Sequence, residues 1–339
     1  MDPVFDLCGD LLLTSGNSAV GISTKYQGRI FAGNDKMLFH RFLYDLAANP
    51  HPEEFNNLGG NSLWPAPEGG DYAFNYLPEN PEKWLVQEGI NSVCPEAVTA
   101  SGDGKIKCSK LVNLRNRAGA ALQLRMSREV ELLDIASETA GYALTPLAYT
   151  SCDTIEYLTP QSPDTAPVAA WSLEQFPGYE NITAFGRVSS GNAKNAVNDD
   201  FYGDPWPRLD FRGGQFTFRL GGAERLQIGI SAAEKPEFIG AFDFERNLVI
   251  IRKTFDLSGK RINIADNEQK NGIFSAQDMY SIFNGAELNF FELETIAPMD
   301  IDPYTGKVKG SKLISETRFF TGENDELKRF LRDIYQIEF

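Results

Sequence analysis

Glu292 and Glu294 stand two residues apart in an apolar run from Leu288 to Ile296. In an extended chain, period-two alternation puts both carboxyls on the face that carries Leu288 and Phe290, while Phe291 and Leu293 point the other way. Two carboxyls on one partly apolar surface push each other's pKa values apart, which supplies one protonated acid and one base near neutral pH. General acid–base chemistry is what such a pair suits. A solvated strand face that happens to carry two acids is the plainer alternative.

Two further stretches concentrate acids, aromatics and turn residues. Asn57 to Gly70 carries Trp64 between Leu63 and Pro65, and Glu68 between Pro67 and Gly69; Val197 to Gly203 carries Asp199 and Asp200 ahead of Phe201 and Tyr202. Trp64, Trp171 and Trp206 can stack on the apolar C–H face of a sugar ring, or simply belong to the core. Trp64 is the strongest of the three, because two prolines hold it in a glycine-rich loop. Asp199 and Asp200 fit sugar hydroxyls or a cation, or cap turn N–H groups. Glu68 is open to the same two readings.

Other chemistries lose their usual support. The phosphate-binding loop, the GxGxxG turn, the GxSxG elbow and HExxH are absent. Asp300 and Asp302 begin like a calcium loop, but Tyr304 and Thr305 occupy the next ligand and glycine positions. Neither a metal centre nor an organic cofactor is expected. Asn181, Ile182 and Thr183 form a glycosylation sequon, which has meaning only in a eukaryotic secreted protein. Cys8, Cys94, Cys108 and Cys152 show no CxxC spacing and are expected as reduced thiols, with a Cys94–Cys108 bridge the alternative. With 32 Lys and Arg against 47 Asp and Glu, the net charge of −15 argues against nucleic acid as a partner. No apolar run is long enough for a membrane span, so no membrane partner is expected. The opening residues lack the basic start and apolar run of a secretory signal, which makes the cytoplasm the expected location, or the periplasm if a leader was trimmed.

The elements that must position these residues read mostly as strands. Leu122, Leu124 and Met126 alternate with Gln123, Arg125 and Ser127, and Phe216, Phe218 and Leu220 with Thr217 and Arg219. Further strands are expected at Ala19–Thr24, Tyr72–Tyr76, Lys107–Asn113, Tyr142–Tyr149, Val168–Phe176, Leu226–Ser231, Leu248–Phe255, Leu288–Ile296 and Leu313–Phe320. Glycine-bearing turns at 101–104, 213–214, 221–222, 258–259 and 284–285 separate them. Two helices are expected. Lys36–Ala48, closed by Asn49 and Pro50, would carry His40 on its surface. The other, at about 324–336, buries Leu327, Phe330, Leu331 and Ile334 on one face. No repeat or linker divides the chain, so one all-β domain over 1–339, a large sandwich with few helices, is the simplest account.

At the three acid-rich stretches the sequence becomes recognisable. Leu293, Glu294 and Thr295, near the chain end and followed by Pro298, resemble the LET motif of the aldose 1-epimerases, or galactose mutarotases, whose glutamate removes the anomeric hydroxyl proton. Leu63–Gly70, Val197–Gly203, Phe291–Pro298, Pro167–Phe176 and Leu111–Leu133 together look like an uncharacterised bacterial family assigned to the galactose mutarotase-like superfamily, over roughly residues 15 to 320. The resemblance implies a β-supersandwich with a sugar-sized groove on a concave sheet. It makes Glu294 the base. The acid in mutarotases is a mid-chain histidine; here the matching tract Trp171–Phe176 has none, and both histidines precede residue 52. The proton donor is then Glu68, Glu292 or Glu174, or His40 or His51 arriving from elsewhere. Trp64, Trp171, Glu174, Asp199 and Asp200 are expected as groove walls. A carbohydrate or sugar-derived molecule is the expected ligand, turned over by an epimerase-like enzyme or held by a non-catalytic glycan-binding protein; a scaffold meeting a protein partner through its acidic surface is a third reading.

Overall fold

The alternating runs pair into two antiparallel sheets. In the computed structural model, which describes residues 3–51, 54–98, 104–189, 191–255, 258–265 and 272–339, nine strands form the first sheet. Their spatial order is Leu12–Ser15, Ser18–Ser23, Arg29–Asn34, Gly60–Ala66, Ala169–Pro177, Phe290–Ile296, Asp278–Asn284, Leu226–Ser231 and Val197–Asn198. The second sheet runs Leu209–Arg212, Gln215–Arg219, Ile182–Val188, Pro236–Asp243, Leu248–Thr254, Val308–Thr321, Thr145–Gln161, Ala121–Leu132, Lys105–Arg115 and Glu96–Val98, with Met299–Ile301 paired onto Val308–Thr321. This is the expected all-β supersandwich with few helices. Most of the expected turn at 101–104 lies outside the described residues.

Alternation decides what fills the space between the sheets. Phe176, Phe291, Leu293 and Ile282 from the first sheet pack against Tyr149, Ile250 and Phe319 from the second, all buried in one cluster. Each such side chain contributes roughly 1.5–3 kcal/mol by leaving water. The residues between them in sequence, Gln175, Glu292 and Glu294, therefore face outward from the first sheet. No helix among the described residues is long and apolar enough to cross a membrane.

Three local expectations are corrected. The segment expected as the helix Lys36–Ala48 is helical only at Tyr44–Ala48. Before that the chain is extended: Phe39 N–H donates to the Ala32 carbonyl, Arg41 N–H to Gln175, and Leu43 N–H to Leu58. The apolar residues from Met37 to Leu43 satisfy period 2 as well as period 3.6, and backbone partners on both sides decide for the extended form. Tyr72–Tyr76 is a loop whose Phe74 is buried beside Trp171 and Val112 in a second apolar cluster. The strand expected at Tyr142–Tyr149 begins at Thr145 and runs to Gln161.

The C-terminal helix, Asn324–Phe330, continues as π-helix through Leu331–Tyr335. Leu327, Phe330 and Leu331 pack on Phe242 and Phe320, outside the second sheet. Ile334 was expected on that face and is instead exposed, with Tyr335 buried in its place. The wider π turn advances the buried face by one residue.

Candidate functional site

The outward face of the first sheet arranges its side chains in rows. Gly60, Gln175 and Glu292 stand opposite one another across three adjacent strands; Ser62, Leu173 and Glu294 form the next row, and Trp64 and Trp171 the one beyond. On the other side Glu292 faces Phe283 and Glu294 faces Ser281, and Gln227 continues the Phe283 row. These rows floor a cavity of about 340 Å³, walled by Arg41, Trp84, Tyr202 and Arg225 from the surrounding loops and closed at one corner by Glu68. That is a volume suited to one small molecule.

Both carboxyls at the floor are buried. Glu292 Oε1 accepts from Gln175 Nε2 at 2.7 Å, and Glu294 Oε2 accepts from the indole Nε1 of Trp171 at 2.9 Å. Gln227 Nε2 reaches Glu294 Oε1 at 3.4 Å and Ser281 Oγ at 2.9 Å. Loss of solvent pushes Glu292 up to about 7, opposed by its hydrogen bonds to Gln175 and Glu294 and by the charges of Arg41 and Arg29. Glu294 is pushed well above the carboxylate range, first by burial and then by the neighbouring Glu292 charge. The two titrate as one unit, so their protons belong to the pair rather than to either residue.

Cations and rings frame that pair. The Arg41 guanidinium lies 4.7 Å over the ring of Phe290 and donates to the carbonyl of Asn57 at 3.1 Å. Arg225 lies 5.0 Å over Tyr202 and 5.5 Å over Phe283. Trp64 and Trp171 meet edge to face at 6.3 Å, and Phe55 meets Trp64 at 5.3 Å. The cavity thus offers aromatic edges, two guanidiniums, three amides and a coupled carboxyl pair.

Of the residues expected from sequence, Glu292, Glu294, Glu68, Trp64 and Trp171 come together in this cavity. Glu68 sits within hydrogen-bond reach of Asn75 Nδ2 at 3.2 Å. Glu174 does not join them. It faces between the sheets, fully buried, where Oε1 accepts from His40 Nε2 at 2.8 Å and from Tyr149 at 2.5 Å, and Oε2 from Thr317 Oγ1 and Arg252 Nη1, both at 2.8 Å. His40, expected on a helix surface, is the buried partner in that network, and neither His40 nor His51 lines the cavity. Asp199 and Asp200 are also outside it. Asp199 is exposed and accepts from Trp206 Nε1 at 2.5 Å, while Asp200 N–H donates to Asn198 Oδ1 at 3.1 Å in a turn, both beside a separate polar depression. All four cysteines are free, with Cys94 exposed and bonded to the carbonyl of Lys25.

Sequence reasoning missed Arg41, Gln175, Tyr202, Arg225 and Gln227. Gln175 was legible, since it shares alternation parity with Trp171 and pairs in register with Glu292. Arg225 sits beyond the Gly221, Gly222 turn and carries no local signal.

A family model matches residues 10–339, and its description is a family of unknown function, DUF6786. The chain belongs to DUF6786. No curated protein matches this DUF6786 member in sequence. Among solved structures it is similar to the Slr1438 protein from Synechocystis sp. PCC 6803, with a TM-score of 0.51 at 13% identity, covering 92% of this chain and 95% of that one. It is also similar to a galactose mutarotase-like protein from Lactobacillus casei ATCC 334, with a TM-score of 0.48 at 12% identity over 91% of this chain and 97% of that one. At such identities the likeness to the Slr1438 protein is one of fold.

Proposed function

We propose that the cavity of this DUF6786 protein takes a sugar ring, and that the Glu292–Glu294 pair moves a proton between the anomeric and ring oxygens. The observation that carries the reading is the pair itself: two buried carboxyls two residues apart on one strand face, both pushed upward by burial, at the floor of an aromatic-walled cavity of sugar size. Opening a cyclic hemiacetal needs one proton removed from the anomeric hydroxyl and one delivered to the ring oxygen, two oxygens on the same carbon. An adjacent carboxylate and carboxylic acid meet both needs at once.

The expectation from resemblance made Glu294 the base. The pair as a unit supplies both roles: its ionised member takes the anomeric proton and its protonated member gives a proton to the ring oxygen, with the charges of Arg41 and Arg29 acting on Glu292 toward its ionised form. The ring C–O bond breaks, the open-chain aldehyde turns about its C1–C2 bond, and closure returns both protons. The pair carries one proton before and after. Trp171 Nε1 and Gln175 Nε2 hold the two carboxyls at the floor throughout.

The second reading is a glycan-binding protein without turnover, favoured by the position of both histidines away from the cavity. One experiment separates the two. Exchange NMR on a panel of free aldoses, uronic acids and short glycans is expected to show accelerated anomer interconversion with the native chain. Glu292→Gln and Glu294→Gln should each lower the rate about a hundredfold or more with affinity changed less than tenfold. Binding without acceleration selects the second reading; unchanged turnover in both variants removes the pair from the mechanism.

A further inference from the structure

Asp278 is fully buried at the start of the strand Asp278–Asn284, yet its carboxylate is only half satisfied. Oδ2 accepts from Asn198 Nδ2 at 2.8 Å, while Oδ1 has no hydrogen-bond partner. The carboxylate lies flat over Gly229, where a Cβ would come within 2.4 Å of Oδ2, so the sheet gives it room only because that residue lacks a side chain. It lines the polar depression beside the edge strand Val197–Asn198, together with Asp199, Asp200, Ser231, Asn263 and Gln277. No Lys or Arg lines that depression among the described residues. Arg261, whose charge acts on Asp278, donates through Nη1 to the carbonyl of Ile296.

We propose that this depression is a divalent-cation site of the calcium type, with the free oxygen of Asp278 and the carboxylate of Asp200 as its charged ligands. The donors available are hard oxygens, from carboxylate, amide and hydroxyl groups, and a calcium ion takes six to eight of them in a tolerant geometry, completing its shell with water. Manganese apart, the first-row transition metals favour nitrogen or sulfur donors, and among the described residues neither His nor Cys lines the depression. Two carboxylates with neutral oxygens make a moderate site rather than a tight one. Asp200 stands two residues before Tyr202, which walls the main cavity, so the ion would pin that wall to the sheet.

The test uses the full chain after chelator treatment. Calorimetric titration with calcium chloride is expected to give one saturable site. Terbium should give luminescence sensitised by Trp206, whose indole is bonded to Asp199. Asp278→Asn should weaken both signals at least tenfold, and Asp200→Asn, at a turn position outside the core, should do the same if the first variant folds poorly. Trp206→Phe should lose sensitised emission while keeping the calcium heat. No saturable heat or emission at millimolar ion, or undiminished binding in both aspartate variants, would overturn the site.

Discussion

At the scale of single residues, Glu174 shows how one position in a strand separates structure from chemistry. It lies between Leu173 and Gln175, which line the cavity, and so points to the opposite side, where four donors converge on it. Burial works against its charge, but the Arg252 guanidinium and the hydrogen bonds from His40 and Tyr149 hold it down at about 2. Alternation alone would have told Glu174 apart from Trp171, since three steps along a strand reverse the face. Its chemical type suggested the groove, and parity is the stronger guide. Arg252 in turn donates to the Leu293 carbonyl and to Ser172 Oγ, so the network ties the interior to the strands that carry Trp171 and Glu294. Glu174→Gln keeps the shape and leaves the Arg252 charge buried and uncompensated. We expect it to lower unfolding free energy by about 3–5 kcal/mol, measured by denaturant titration. A loss below about 1 kcal/mol would mean that the arginine finds another counter-charge.

At the scale of elements, most strands were legible because their apolar period is unambiguous, and the exceptions cluster where partners rather than pattern decide. The extended segment before Tyr44–Ala48 is the clearest case: it wedges against Gly59, whose φ of +96° and missing Cβ let the chain cross. A Cβ there would lie 2.1 Å from the carbonyl oxygen of Arg41, a backbone atom that cannot swing aside, and that carbonyl accepts from Gly60 N–H at 2.9 Å. This crossing delivers Arg41 to the cavity, and nothing in the local sequence announces it. Gly59→Ala should therefore cost about 2–4 kcal/mol, strain and clash together. Gly119 has nearly the same φ, +97°, with only Pro78 within 4 Å of a Cβ, so Gly119→Ala is the matched control and should cost about 1 kcal/mol. Equal losses in thermal or denaturant unfolding would show that backbone strain, not the crossing, sets the penalty.

For the whole molecule, the cavity chemistry and the interior network oppose each other in pH. A carboxyl whose pKa is raised by folding binds its proton more tightly folded than unfolded, so the folded state gains as pH falls from the raised value toward the unfolded one. Glu292, raised to about 7, acts this way between about pH 7 and the ordinary glutamate value of about 4.3, and Glu294 is raised in the same direction. Glu174, lowered to about 2, acts in the opposite sense: its contribution is complete above about pH 4.5 and is lost as pH falls toward 2. The net charge of −15 adds self-repulsion that also eases with acidification. The melting temperature should then rise from pH 8 to about 5 and fall below about 4.5. Self-repulsion alone would give the same rising limb, so the decisive comparison is Glu292→Gln, which changes one charge and keeps the Gln175 contact in reach. At pH 8 it should be more stable than the native chain by about 2 kcal/mol, with the gain shrinking toward pH 5 as Glu292 itself becomes neutral. A gain independent of pH would assign the effect to packing. A loss at pH 8 would make the carboxylate a structural ligand of Arg41 and Arg29, rather than a destabilised group whose strain, on the reading proposed above, is retained for proton transfer.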